Sequence, residues 1–251
     1  MKTLVIGDSC IDVYVYGDCN RLSPEGPVPV LNEVYRQSAR GMAGNTYNNM
    51  KAFCSNVDLI SNDSEQIIKT RFVDNKTNQL LLRVDTNDQC DLISADDLLI
   101  PTGQYDLTVV SDYCKGFLDD SDLINIGSNC DLSVLDTKRE LTQDIINSYS
   151  FIKLDEQAYH RNLKILDKSS NMRKAVVTRG ERGVRFLDHN YPPSQVLQTF
   201  DVSGAGDVFT ATFSYRLMCG HGTENAIRFA QDCCVKVIQR RGTCVYDKNM
   251  D

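Results

Sequence analysis

The chain has 251 residues, of which 41% are hydrophobic and 24% charged, with a formal net charge of −7 at pH 7. That length holds one α/β core with room for a small appendage, and the composition excludes disordered, collagen-like and coiled-coil classes. The acidic balance argues against a nucleic acid or an anionic membrane surface as partner, because both draw most of their affinity from basic patches.

Met1 is followed by Lys-Thr-Leu-Val-Ile-Gly-Asp8, an apolar run too short for a signal peptide or a membrane span, so a cytoplasmic location is expected. Residues 3–8 read as a strand buried on both faces of a parallel sheet. Short β-like pieces follow at 13–16 and 28–31, and two more at 66–73 and 79–84 flank a turn at Asp74-Asn-Lys-Thr77; together they predict a small separate sheet. Apolar runs ending in polar residues recur at 107–112, 132–136, 151–155 and 174–179. In open α/β sheets ligands bind outside the carboxyl ends of the strands, which would put Asp8, Asp112, Asp136, Asp155 and Thr178 around one site. Each Asp taken singly reads better as a loop or N-cap residue. Helices are predicted at 140–149, at 155–168 and from Thr223 onward, where Ala226, Ile227, Ala230, Cys233, Cys234, Val237 and Ile238 recur at helical spacing. The ten cysteines show no metal-ligand spacing and read as free thiols. His160, His189 and His221 lack partners at metal or triad spacing and receive no catalytic role.

The most informative stretch is Asp201-Val-Ser-Gly-Ala-Gly-Asp207. Gly204, Ala205 and Gly206 leave their backbone N–H groups accessible at a helix N-terminus, which suits an anion such as a transferring phosphoryl group. A carboxylate beside that anion is unfavourable unless it takes a proton from an attacking hydroxyl. Asp207 therefore reads as a general base in phosphoryl transfer to an alcohol, against the plainer reading of ordinary capping chemistry. A nicotinamide oxidoreductase is disfavoured, since Gly7-Asp8-Ser9 lacks a Gly-x-Gly-x-x-Gly turn.

The chain resembles the ribokinase-like (PfkB-type) carbohydrate kinases, whose signature Asp-Thr-x-Gly-Ala-Gly-Asp is matched at 201–207. Within them it is most similar to the heptose 7-phosphate kinase domain of the ADP-heptose pathway. The resemblance rests also on Gly7-Asp-Ser-Cys-Ile-Asp12, Arg21-Leu-Ser-Pro-Glu-Gly-Pro-Val-Pro-Val30, residues 41–45, Leu82-Arg-Val-Asp85, Val110-Ser-Asp-Tyr-Cys-Lys-Gly116, Leu135-Asp-Thr-Lys138 and Val177-Thr-Arg-Gly180. It implies an α/β fold: a ribokinase-like three-layer sandwich with a mostly parallel central sheet and a small β-sheet lid. On that reading residues 1–251 form a single kinase domain with lid segments at approximately 13–34 and 68–85, paired between subunits of a homodimer. The implied reaction is ATP-dependent phosphorylation of a sugar hydroxyl, a heptose 7-phosphate at its anomeric position, with ATP and Mg²⁺ as cofactors and a sugar or sugar phosphate as partner. Carried over by position, Asp207 is the base, and Gly204, Ala205 and Gly206 form the anion hole. Asp8, Asp12, Gly41 and Asn45 bind the sugar, and Thr178, Gly180, Gly183, Gly242 and Thr243 bind the nucleotide. A second phosphate on the substrate needs cations, for which Arg83, Lys115 and Lys138 are candidates.

Three positions depart from that pattern. Met42 stands where a second glycine is usual, which predicts a bulky side chain at the backbone's approach to the sugar. Ala158 stands where a glutamate tied to magnesium and phosphate handling belongs, leaving Asp155, helped by Glu156, as the candidate metal ligand. The short stretch 53–66 predicts loss of part of the sheet edge. These departures keep open an alternative: a catalytically weakened or inactive sugar-phosphate or nucleotide-binding module of the same fold.

Overall fold

The computed structural model describes residues 1–94, 102–195 and 201–247. Its backbone is a central sheet of eight strands with a four-stranded sheet beside it. The central sheet contains β1 (Thr3–Gly7), β4 (Val57–Ser61), β7 (Leu107–Asp112), β8 (Ser133–Thr137), β9 (Phe151–Asp155), β10 (Ala175–Thr178), β11 (Val184–Phe186) and β12 (His189–Tyr191). Their order is β12-β11-β10-β9-β8-β7-β1-β4, parallel from β4 through β10, with an antiparallel hairpin at the β12 edge.

Alternation along these strands divides the core into two layers, because successive side chains point to opposite faces. Leu4, Ile6, Val110, Leu135, Ile152, Leu154 and Val177 pack on α2 (Asp120–Ser128), α3 (Gln143–Ser148) and α4 (Glu156–Arg161). Val5, Leu107, Val109, Val134 and Val176 pack on the other side, against α1 (Ala43–Lys51), α7 (Ala205–Met218) and α8 (Thr223–Val237). Two one-turn helices, α5 (Leu163–Leu166) and α6 (Ser169–Met172), lead into β10. The arrangement is the three-layer sandwich expected from the sequence. Helix α7 is buried from Asp207 through Ser214, while its first two residues and the Gly204 cap are half-buried.

The second sheet has the order β3-β2-β5-β6, built from β2 (Ser9–Leu22), β3 (Pro29–Met42), β5 (Ile68–Asp74) and β6 (Leu80–Thr86). β2 begins two residues after β1 ends, which ties this sheet to the carboxyl end of the central one. The connection after β1 leads to β4 on one side, whereas the connection after β7 leads to β8 on the other. β1 and β7 thus flank a topological switch point, the place outside the strand ends where open α/β sheets form their ligand crevice.

The stretch 53–66 keeps one edge strand, β4, paired in register with β1. Met42 does adopt a positive φ of 57°, which is unfavourable for a non-glycine residue, but its side chain is 3% exposed and packs with Cys10 and Ile67 away from solvent.

Candidate active site

The crevice at the switch point gathers Asp8 from the end of β1, Tyr113 from the end of β7, Asn45 from α1 and Asp207 from the first turn of α7. Gly204 caps α7 in the left-handed region at φ 79°, where an added Cβ would lie 2.7 Å from the Asn45 amide nitrogen and 3.0 Å from Thr243 Cγ2. The turn therefore requires glycine for both conformation and space. The Ala205 N–H donates to the Val202 carbonyl at 3.2 Å, so one of the three expected anion-binding amides is engaged within the turn.

Asp207 is 3% exposed. Its Oδ1 accepts from the Tyr113 hydroxyl at 2.6 Å and its Oδ2 from Asn45 Nδ2 at 2.9 Å. Burial raises its pKa to about 6; the Tyr113 and Asn45 hydrogen bonds oppose that rise, nearby Asp136 adds to it, and Lys153 opposes it. A carboxyl poised near neutrality within reach of a hydroxyl has the properties of a general base. Asn45 is held in turn by Asn49, which donates to its Oδ1 at 3.0 Å.

The remaining expected site residues fall into distinct settings. Asp8 is 1% exposed and accepts from the backbone N–H groups of Tyr113 (2.6 Å), Lys115 (3.3 Å) and Phe117 (3.2 Å). Burial, with Asp112 adding to it, holds its pKa above the ordinary carboxylate value despite those donors. Its oxygens anchor the loop that carries Tyr113. Asp12 pairs with Arg71 at 2.6 Å and accepts from the Thr243 hydroxyl at 3.1 Å; an added Cβ at Gly41 would collide with the same carboxylate. Arg83 is bound two-pronged to Asp85 at 2.7 Å, and Lys115 is paired with Asp88 at 2.5 Å. Lys138 lies over the Tyr113 ring, 4.5 Å from its centroid.

Thr178 ends β10 beside Asp155 of β9, and Gly180 and Gly183 follow it with positive φ. A side chain at Gly183 would meet the Tyr191 carbonyl, whereas the space beside Gly180 is open. Gly242 donates its N–H to Asp201 at 3.1 Å, and the Thr243 hydroxyl lies 3.1 Å from that of Tyr14, so this pair joins the second sheet to the Gly204 turn.

The magnesium that the sequence resemblance implies finds no dedicated protein cage. Asp155 caps α4 by accepting the Ala158 N–H at 2.7 Å, Glu156 is paired with Arg182, and Ala158 is fully buried. Among the described residues no group of three or more His, Cys, Asp or Glu side chains is arranged around a metal position. Nor is any described helix long and apolar enough to cross a membrane. All ten cysteines are free thiols.

Sequence reasoning missed two lysines. Lys153 sits in the middle of β9 with its Nζ 3.0 Å from each oxygen of Asp136, and an added Cβ at Gly206 would lie 3.2 Å from that nitrogen. Burial lowers its pKa, but Asp136 more than restores it, so the net direction is upward. A charge inside the apolar run Phe-Ile-Lys-Leu-Asp was itself a signal, since a strand buried on both faces must supply it a partner. Lys69 of β5 is the second, lying 5.6 Å from the Tyr113 ring centroid.

This fold is ribokinase-like. The structure aligns with Arabidopsis thaliana ribokinase, solved in complex with ribose and ATP, at a TM-score of 0.70 and 15% identity over 99% of this chain and 97% of that one. It also aligns with Escherichia coli phosphofructokinase-2 at a TM-score of 0.70 and 11% identity, over 100% of this chain and 96% of that one. Residues 151–249 match the family model of pfkB family carbohydrate kinases. Among curated relatives it is similar to the bifunctional protein HldE of Campylobacter fetus, 28% identical over 97% of this chain. The chain spans less than two thirds of that relative, 64% of its length.

Proposed function

We propose that the domain transfers the terminal phosphoryl group of ATP to a sugar hydroxyl, and that the acceptor is a phosphorylated heptose reacting at its anomeric position. The observation that carries this reading is Asp207: a buried carboxyl with a pKa of about 6, in the first turn of a helix whose left-handed Gly204 cap opens toward the switch-point crevice. The ribose and ATP bound to the Arabidopsis relative support a sugar and a nucleotide as the two ligands. Resemblance to heptose 7-phosphate kinases supports the acceptor.

Each Asp207 oxygen already holds one hydrogen bond, so the acceptor hydroxyl enters by displacing the Tyr113 phenol or by using a remaining lone pair. The carboxylate then accepts the hydroxyl proton as the oxygen attacks phosphorus and ADP leaves. The Gly204 and Gly206 amides and the α7 dipole stabilise the charge on the transferring group. Thr178, Gly180 and Gly183 are assigned to the nucleotide, while Asn45, Asp12 and Gly41 border the acceptor. Gly242 and Thr243 are assigned to close the turn against the second sheet.

A release assay for ADP across a panel of sugars and sugar phosphates, with and without Mg²⁺, tests this reading. Asp207→Asn is expected to lower kcat by ~10²–10⁴-fold while leaving ATP affinity unchanged. Equal loss of both would make the residue structural. The engagement of both Asp207 oxygens favours a second reading, a binding module without turnover, which ligand binding without ADP release on any sugar would establish.

A further inference from the structure

Tyr113 is pinned at both its backbone and its side chain. Its N–H donates to Asp8 and its hydroxyl to Asp207 Oδ1, each at 2.6 Å, so both ends of the residue close on a buried carboxylate. Lys69 and Lys138 stand 5.6 and 4.5 Å from its ring centroid. The next residue, Cys114, has a φ of 57° and donates its N–H to Asp112 at 3.1 Å, so the chain turns sharply just after the phenol. Asp112 is held in turn by Arg139 at 3.0 Å and by the Thr137 hydroxyl at 2.6 Å. The ring itself packs against the buried cluster of Cys10, Met42 and Ile67.

Met42 joins that cluster at a cost. It stands before α1 at φ 57° and ψ −130°, backbone that glycine adopts without strain, yet this chain places a long thioether there and buries it. A strained residue persists where its surroundings compensate, and here the compensation is the packing against which the Tyr113 ring lies. Loss of water around the Tyr113 hydroxyl, with Asp207 and Asp136 adding to it, keeps the phenol protonated. It is therefore a constant donor, while an ionised Asp207 can only accept. Asp136 of β8, Lys153 of β9 and Cys10 of β2 also act on Asp207 through their charges, but among the described residues only Tyr113 and Asn45 bond its oxygens.

We infer that Tyr113 is a positioning residue for the phosphoryl transfer: its phenol stays on Asp207 Oδ1 while the acceptor binds, leaving the acceptor hydroxyl a free lone pair of the same carboxylate, and Met42 holds the phenol in place. The inference rests on the kinase reading above and decides between the two routes by which the acceptor can reach the base. In the transfer the hydroxyl proton passes to Asp207, the acceptor oxygen bonds to phosphorus as the bond to ADP breaks, and Tyr113 keeps its own proton throughout.

Steady-state kinetics across pH and a carboxyl-carbon NMR titration of Asp207 in the ligand-free protein test this role. Tyr113→Phe removes a donor to the charged form, so the Asp207 midpoint should rise from about 6 by ~1–2 pH units. Its kcat at pH 7 should fall ~10–100-fold, the scale of a hydrogen bond to a charged group, with the KM values for acceptor and ATP unchanged. Met42→Gly should move the midpoint the same way by less, and Met42→Leu should leave it in place. A fall in acceptor KM with kcat preserved in Tyr113→Phe would mean that the phenol is displaced, and a kcat lowered equally at every pH with an unmoved midpoint would make the residue structural; either result overturns the inference. A Met42→Gly midpoint identical to wild type would overturn the part given to Met42. Because the NMR titration needs no acceptor, a wild type without turnover whose midpoint still moves in Tyr113→Phe would end the kinase reading and leave the hold of Tyr113 on Asp207 standing.

Discussion

Asp207 shows how a single side chain can be poor for stability and suited to chemistry. Its pKa rises from an ordinary 3.8 to about 6, chiefly because burial disfavours the charged form. The folded value lies above the unfolded one, so the carboxyl's favourable contribution is complete below about pH 4 and disappears as pH rises through about 6. At neutral pH the ionised group costs on the order of 3 kcal/mol. Asp207→Asn is therefore expected to unfold at a higher temperature than wild type at pH 8, with the gap closing toward pH 4; thermal unfolding across that range checks it, and a gap independent of pH would contradict it. Turnover has the opposite dependence, rising as the carboxyl ionises through about pH 6. Gly204→Ala should destabilise the fold by ~1–3 kcal/mol, through left-handed strain and contact with Asn45, and a denaturant titration measures that loss. The motif made Asp207 and Gly204 legible in the sequence. The Tyr113 partner was not, because it stands 94 positions away and only the fold brings the two hydroxyl and carboxyl oxygens together.

Individual elements were read most accurately where both faces are covered. The runs at 107–112 and 151–155 coincide with β7, buried throughout, and β9, buried at its three central residues, where the apolar residues dominate the pattern. In β2 and β3 the sequence showed only short pieces, because charged and polar residues interrupt the pattern of strands 14 residues long, and most of β3 is exposed. The predicted helix at 155–168 resolves into α4 and α5, meeting at Asn162, whose side chain bonds the Leu141 N–H and the Arg139 carbonyl. Between β8 and β9 the Lys153–Asp136 pair is buried, with the Thr210 hydroxyl of α7 donating to the same carboxylate at 2.6 Å. Lys153→Met alone should cost ~3–5 kcal/mol, as an uncompensated buried carboxylate, and adding Asp136→Leu should recover much of it. Chemical denaturation of both single variants and the double variant checks the coupling; a double-variant loss equal to the sum of the two single losses would mean the charges act independently.

At the scale of the whole molecule, the second sheet presents two unlike faces. One carries Lys69, Arg71 and Asp12 toward the crevice, while Leu80, Leu82 and Val84 alternate onto the other face of β6 and are each more than 40% exposed. An apolar stripe of this kind on an edge strand marks an interaction surface, which fits the homodimer proposed from the sequence resemblance. Leu82→Asp is expected to give a monomer by sedimentation velocity where the wild type is a dimer; a wild-type monomer would refute the pairing. The layered core was legible because hydrophobic alternation specifies it locally. The charge balance of the second sheet was not, since it depends on which strands become neighbours.

The most direct test is a crystal structure of the complex with a non-hydrolysable ATP analogue and a sugar phosphate. The terminal phosphate should lie against the Gly204-Ala205-Gly206 turn, with the acceptor hydroxyl within hydrogen-bonding distance of Asp207. A triphosphate bound away from that turn, or an acceptor with no hydroxyl near Asp207, would contradict the proposed phosphoryl transfer.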